Sequence, residues 1–332
     1  MQRLNRPRLG MLGLACLLLL SGILGLVVGA APVSIGEVWA VFSGQNSDPV
    51  TAIIINSIRL PRVVGAAFTG AALAISGVLF QALLRNPLAE PYLLGVSSGA
   101  ALGAVMALTV LGGILGPLGT LSFALIGALL AIMLVFWVAV SASRLDTYVL
   151  ILSGVVVAAF CGAVMMLVLS LAEEDTLRSA VLWTMGSLER ASWNGNLILG
   201  ICVLVSGAIS FGLARHLNAF SIGEEAAAYL GSEVEKVKRT VYFVASLLAA
   251  VTVSTAGVIG FVGLVVPHAI RMLWGGDHRV LIPLAALGGG VSLILADAVA
   301  RAALSPLELP IGVVTAILGV PFFLVLLRRR YV

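Results

Sequence analysis

From Leu9 to Val28 the chain runs for twenty residues without a charged side chain, and comparable apolar runs recur toward the C-terminus. At a rise of about 1.5 Å per residue, a helix of that length crosses a hydrocarbon core of about 30 Å. Inside such a core every backbone N–H and C=O must be paired within the protein, which restricts the chain to helices or a closed barrel. The runs are continuously apolar, with no alternation of period two, so they read as helices. The expected fold class is all-α, a polytopic membrane protein with about ten transmembrane helices in a single domain spanning 1–332. Composition agrees: with 61% of residues hydrophobic and 10% charged, too little polar surface remains to coat a soluble globule. The 37 glycines suit close approach of helices in lipid. A net charge of +4 is therefore no sign of a nucleic-acid partner; what matters is where the charges fall.

Spans are expected at about 9–29, 63–83, 93–111, 120–140, 148–171, 197–214, 240–257, 258–275, 281–300 and 310–327. With both termini cytoplasmic, fourteen basic residues face inward: Arg3, Arg6, Arg8, Arg85, Arg144, Arg215, Lys236, Lys238, Arg239, Arg271, Arg279 and Arg328 to Arg330. Five face outward: Arg59, Arg62, Arg178, Arg190 and Arg301. That asymmetry follows the positive-inside rule. A signal peptide competes for the first run, but the run exceeds the usual apolar core of about 7–15 residues, so a retained span is expected. The division at 240–275 is the weakest. Gly257 and Gly260 are its obvious hinge, and two short spans keep Arg279 and the C-terminal arginines inside; a broken or re-entrant helix is the alternative.

Between the second and third spans lies Arg85-Asn86-Pro87-Leu88-Ala89-Glu90-Pro91, followed by Tyr92 to Gly99. Polar and helix-breaking residues there belong at a membrane surface or along a protein-enclosed path. On the outer side, Ser34 to Phe42 predicts an amphipathic interfacial helix, and Ala172–Asn196 predicts a short helix capped by Ser or Asp. On the inner side, Glu224 to Leu230 predicts a short helix stopped by Gly231, with the next helix starting over Glu233 to Lys236. Ala71 to Val78 before Asn86-Pro87 faintly echoes Ala249 to Val258 before Pro267-His268, which suggests an inverted repeat over about 63–171 and 240–327.

Three outer arginines, Arg59, Arg62 and Arg301, either bind carboxylates of a docking partner, snorkel to lipid headgroups or pair internally; Asp297, four residues before Arg301, favours an internal pair for that one. The inner helix at Glu224 to Gly231 either docks into a groove of another protein or lies solvated at the interface. Asp146-Thr147-Tyr148 is either a constriction or an ordinary turn. Gly95-Val96-Ser97-Ser98-Gly99 matches the G-x-S-x-G nucleophile elbow, with His268 as the histidine inside a span, but the elbow requires a strand before the turn. Cys16, Cys161 and Cys202 lack metal-ligand spacing and read as packing residues. The chain has no P-loop; its only lysines are Lys236 and Lys238.

Arg59-Leu60-Pro61-Arg62, Gly70 to Gly77, Gln81, Asn86 to Gly99, Gly260 to His268, Asp277-His278-Arg279, Leu295-Ala296-Asp297 and Glu308 to Gly312, in that order, resemble the membrane permease subunits of the ABC importers for iron chelates and cobalamin. The resemblance implies ten helices per subunit and a second copy of the chain, or a related permease, around a central path in a bacterial or archaeal cytoplasmic membrane. It implies two cytoplasmic ATPase subunits that bind ATP and Mg, and an extracytoplasmic substrate-binding protein. No cofactor is expected on this chain, and it is not expected to be an enzyme. Carried over by position, Arg59, Arg62 and Arg301 meet the binding protein. Glu224, Glu225, Ala226, Ala227, Ala228, Tyr229, Leu230 and Gly231 form the coupling helix. Asp146, Thr147 and Tyr148 fall at the cytoplasmic gate, where Tyr148 departs from the family's small hydroxyl residues. The expected cargo is a bulky metal chelate such as a ferric siderophore, haem or cobalamin. A secondary transporter driven by an ion gradient is the alternative from another class, but Asp297 is the only carboxylate deep in a span, which is thin provision for an ion relay.

Overall fold

The computed structural model describes residues 2–45, 48–111, 116–141 and 144–331, and apart from two short strands their regular structure is helical. In chain order the helices are α1 (Gln2–Val27), α2 (Ile35–Phe42), α3 (Pro49–Ile53), α4 (Leu60–Leu83), α5 (Val96–Thr109), α6 (Gly116–Ala139), α7 (Thr147–Ser170), α8 (Glu174–Thr184), α9 (Trp193–Gly212), α10 (Ala214–Phe220), α11 (Glu224–Tyr229), α12 (Val234–Ala256), α13 (Val262–Trp274), α14 (His278–Ala302) and α15 (Ile311–Tyr331). A π-helical turn, Ile54–Arg59, joins α3 to α4. Strands β1 (Val140–Ser141) and β2 (Arg144–Leu145) form one antiparallel pair between α6 and α7. Among the described residues, seven helices are long and apolar enough to cross a membrane; the apolar stretches Val96–Thr109, Val262–Trp274 and Ile311–Val325 are shorter.

Three helices make the centre. The most apolar stretches of the helices ending in α4, α12 and α14 are 78%, 72% and 67% buried, against 22% to 33% for α1, α6, α7 and α9. The outer helices are thus apolar on faces that nothing among the described residues covers, which suits contact with lipid tails. Burying apolar area gives no driving force between helices in lipid, so close packing and interhelical hydrogen bonds must hold the centre together. Gly70 of α4 and Gly289 of α14 supply the first: their backbones touch, and a Cβ on either would run into the other's carbonyl. Gly99 of α5 and Gly127 of α6 repeat the arrangement. The Ser76 hydroxyl donates to the Ala245 carbonyl at 2.7 Å and the buried Tyr242 hydroxyl to that of Ile132 at 2.8 Å, tying α12 to α4 and α6.

The division at 240–275 falls where expected, but the two pieces are unequal. Helix α12 has 23 residues and α13 only 13, about 20 Å of rise, too short to cross alone. The chain between them is held open by side chains from the Arg85–Gly99 stretch. The Glu90 carboxylate accepts from the Phe261 N–H at 2.8 Å, and the Tyr92 hydroxyl oxygen accepts from the Ile259 N–H at 3.3 Å. Phe261 sits at φ +68°, a conformation that a residue with a side chain adopts only where its surroundings impose it. The third expected span is likewise shorter than 93–111, because Pro91–Leu94 forms a 3₁₀ turn before α5 begins.

Two local expectations are confirmed and one is corrected. Helix α2 carries a full capping box between Ser34 and Glu37, and Gly231 follows α11 at φ +82°, as a C′ stop requires. Helix α8 begins after Glu173, whose side chain makes no cap bond, so neither Ser nor Asp caps it. The G-x-S-x-G match lies on a turn and the first residues of α5, and the strands among the described residues are far along the chain, so the elbow is absent.

Candidate functional site

The residues singled out by the sequence gather at the two ends of α14. At one end, Asp297 lies between two guanidiniums, all three side chains buried. Arg62 Nε donates to its Oδ1 at 2.9 Å and Arg301 Nε to its Oδ2 at 2.9 Å. Arg62 Nη1 also meets Glu308 Oε2 at 2.8 Å; this carboxylate is partly exposed. The i, i+4 pair between Asp297 and Arg301 is present as expected.

Arg59 has no carboxylate partner in this cluster. Its guanidinium donates to the carbonyls of Leu26 at 2.6 Å, Val27 at 2.8 Å and Ala31. Arg301 adds the carbonyls of Gly25 at 2.9 Å and Val28. The last carbonyls of a helix have no partner within it, and they carry the negative end of its dipole. Two arginines from distant helices therefore cap α1. Three arginines against Asp297 and Glu308 leave the cluster one positive charge in excess. None of the three arginine side chains is exposed: they hold the bundle together from inside, and the partly exposed member of the cluster is Glu308.

At the other end, α10 and α11 project between α9 and α12. Ala227 is fully buried, whereas Tyr229 is 92% exposed and Ile222 and Leu230 are exposed beside it. The mount beneath is fastened at several points. His216 Nδ1 lies 2.9 Å from Ser232 Oγ, and the Asn218 amide donates to Asp277 Oδ1 at 2.7 Å while its oxygen accepts from the His278 N–H at 2.9 Å. Partial burial works against ionising Asp277, yet the Asn218 amide and the Arg279 N–H hold its carboxyl below the usual carboxylate range. Beside this mount is a cleft of about 570 Å³ lined in part by Gln81, Arg85, Asn218 and Arg271. There the Arg271 guanidinium donates to the Gln81 amide oxygen at 3.1 Å.

The sequence segment Asp146-Thr147-Tyr148 lies at this same end. Ala142 and Ser143 of its loop are outside the described residues. Asp146 is the N-cap of α7, accepting from the N–H groups of Tyr148 at 2.8 Å and Val149 at 3.0 Å. Tyr148 is 76% exposed. The fold brings Asp146 and Thr147 together with Glu224, Glu225 and Ala228 around a second cleft of about 460 Å³. The arginine cluster lies at the far end of α14 and touches neither group. Among the described residues no three His, Cys, Asp or Glu side chains are grouped to hold a metal ion.

A profile of the FecCD transport family matches residues 17–329. The chain belongs to that family. It is 46% identical over 290 residues to the cobalamin import system permease protein of Halobacterium salinarum, covering 87% of this chain and 77% of the relative. It is 40% identical over 329 residues to the hemin transport system permease protein of Yersinia pestis, covering 98% and 97%. A solved metal-chelate type ABC transporter in an inward-facing conformation superposes with a TM-score of 0.86 at 33% identity, covering 96% and 98%. As a FecCD permease the chain is a multi-pass membrane protein without its own ATPase.

Sequence reasoning missed four contacts: the carbonyl capping of α1 by Arg59, the Glu90 and Tyr92 props, the Gln81–Arg271 bond and the partners of Lys238. Each joins residues remote in sequence, apart from an i, i+3 pairing of Glu235 with Lys238 that the helix period does predict.

Proposed function

We propose that this chain is the permease of an ATP-driven importer that carries a bulky metal chelate into a bacterial or archaeal cytoplasm by alternating access. The observation that carries the reading is the family match along nearly the whole chain. Cobalamin and hemin, named for two of its relatives, are both large metal macrocycles. On this reading ten helices cross the membrane with both termini cytoplasmic: α5, α13 and α15 complete the count beside the seven long helices, α5 and α13 next to broken, protein-enclosed backbone. Helices α4 and α12 pack together, each followed by a break and a short helix, which supports an inverted repeat. Two copies of the chain, two cytoplasmic ATPase subunits and a delivering binding protein make up the transporter. Liposomes holding the permease and its ATPase subunits, with binding protein and ATP inside or outside as required, are expected to take up cyanocobalamin or haemin only with internal ATP. Uptake that follows an ion gradient without ATPase subunits would overturn this reading.

The coupling helix is α11, with Ile222, Tyr229 and Leu230 as its docking face and the fastened α10 as its mount. The gate is formed by Asp146, Thr147 and Tyr148. The binding protein docks at the arginine end, where the cluster's excess positive charge attracts acidic lobes. Because the arginines are buried, the exchangeable contact is Glu308 on Arg62, replaced by a carboxylate of the binding protein. Glu308→Ala is therefore expected to leave the permease folded, since the buried Arg62 keeps Asp297 as its partner. It should also lower the concentration of binding protein that half-saturates ATPase stimulation. Weaker or unchanged docking in that variant would assign recognition to other residues.

A further inference from the structure

The chain has only two lysines, and one of them is buried. Lys238, in the second turn of α12, has a side chain only 6% exposed. Its ammonium lies 3.1 Å from Glu224 Oε2, in the first turn of α11, and 3.5 Å from Glu235 Oε1 on its own helix. The other oxygen of Glu235 accepts from the Leu145 N–H at 2.7 Å. Leu145 is fully buried in β2 and directly precedes Asp146, which caps α7. Three contacts thus run without interruption from the proposed coupling helix to the proposed gate.

We propose that Lys238 is a positioning residue that makes these contacts one mechanical relay between the ATPase subunit and the gate. The physical basis is the cost of separating a buried charge from its partner. If α11 moves and Glu224 moves with it, the ammonium either follows or is left in a poorly solvated site with one carboxylate. Following is the cheaper course, and Lys238 can follow only by carrying Glu235 and the first turn of α12. Glu235 in turn holds the backbone of Leu145, so β2 and the Asp146 cap shift too. A displacement imposed on α11 is thereby biased to reach Thr147 and Tyr148. Glu233 and Lys236 pair with each other at 3.6 Å, both exposed, and take no part in the relay.

The relay rests on the reading of α11 as coupling helix and Asp146 to Tyr148 as gate, and one experiment separates the two. In the assembled complex, with Cys16, Cys161 and Cys202 replaced by alanine, Thr147→Cys is labelled by a soluble maleimide with and without MgATP and vanadate. The unaltered relay is expected to change the labelling rate about fivefold or more on nucleotide trapping. Lys238→Met is expected to cut that response to less than about twofold while ATP hydrolysis and co-purification of the ATPase subunits persist. Lys238→Arg, which keeps the charge, should retain it. Glu224→Gln, at a half-exposed position that folding tolerates, should lose it as Lys238→Met does. A full response in Lys238→Met or in Glu224→Gln overturns the relay alone. Loss of the ATPase subunits from Lys238→Met also overturns it and reduces Lys238 to a support for α11. A label that ignores nucleotide even with the relay intact overturns the gate assignment on which it rests.

Discussion

Replacing Asp297 by alanine is expected to destabilise the permease by about 3–5 kcal/mol, the usual cost of removing one partner of a buried ion pair. Asp297 is 1% exposed and is the shared counter-ion of Arg62 and Arg301. Without it, two buried guanidiniums face each other with only Glu308 left to offset them. Arg301 also holds the end of α1 through the Gly25 and Val28 carbonyls, so the damage should spread from the α4–α14 contact to the first helix. Thermal unfolding of the detergent-solubilised protein checks this. Alanine should lower the midpoint most, and asparagine, which keeps the acceptor but not the charge, should fall between. A melting curve for Asp297→Ala that overlays the parent would show that the cluster is not a structural keystone. The same variant bears on docking: if the arginines act mainly from inside the bundle, folding fails before recognition does.

The second large effect is expected from the smallest change. Gly70→Ala and Gly289→Ala each place a methyl group against the partner helix's backbone carbonyl. A flexible side chain could rotate away, but a backbone carbonyl inside a helix cannot, so α4 and α14 must move apart. Overfilling a packed interior usually costs about 1–3 kcal/mol, and here the separation would also strain the Arg62–Asp297 pair a few turns along the same two helices. Gly162→Ala is the control. Its position on α7 has nothing within 4 Å, and alanine is the better helix former. The expectation is loss of folded protein for Gly70→Ala and Gly289→Ala, more severe in the double variant, with Gly162→Ala neutral or slightly stabilised. Equal melting of all three would mean that the α4–α14 contact tolerates separation.

Much of the architecture was legible in the residues because its signals are local. Apolar runs announce the helices wherever a run is long enough to span, and Gly257 marks the break at 240–275. Ser34 with Glu37 announces α2, and Gly231 stops α11 because a C′ position needs a positive φ. Asp297 and Arg301 are four apart on one helix, so their pairing followed from the helical period. The family wording lies in order along the chain, which made function readable without any distance.

What the chain could not reveal is which remote groups meet. Arg59 and Arg62 are separated by one helical turn, yet one binds carbonyls of α1 and the other binds Asp297, 235 residues away. Their composition and position suggested an outward docking surface, whereas packing puts both side chains inside. Glu90 reads as a loop carboxylate until Phe261 is placed beside it. Lys238 reads as a basic residue at a membrane edge until α11 folds back over it. The cause is the same in each case. Hydrophobicity and helical period act within a few residues and are written in the sequence, so they determine spans, caps and breaks. The partner of a buried polar group is selected by which backbones approach closely enough to exclude lipid and water, and that is decided only when α4, α12 and α14 pack.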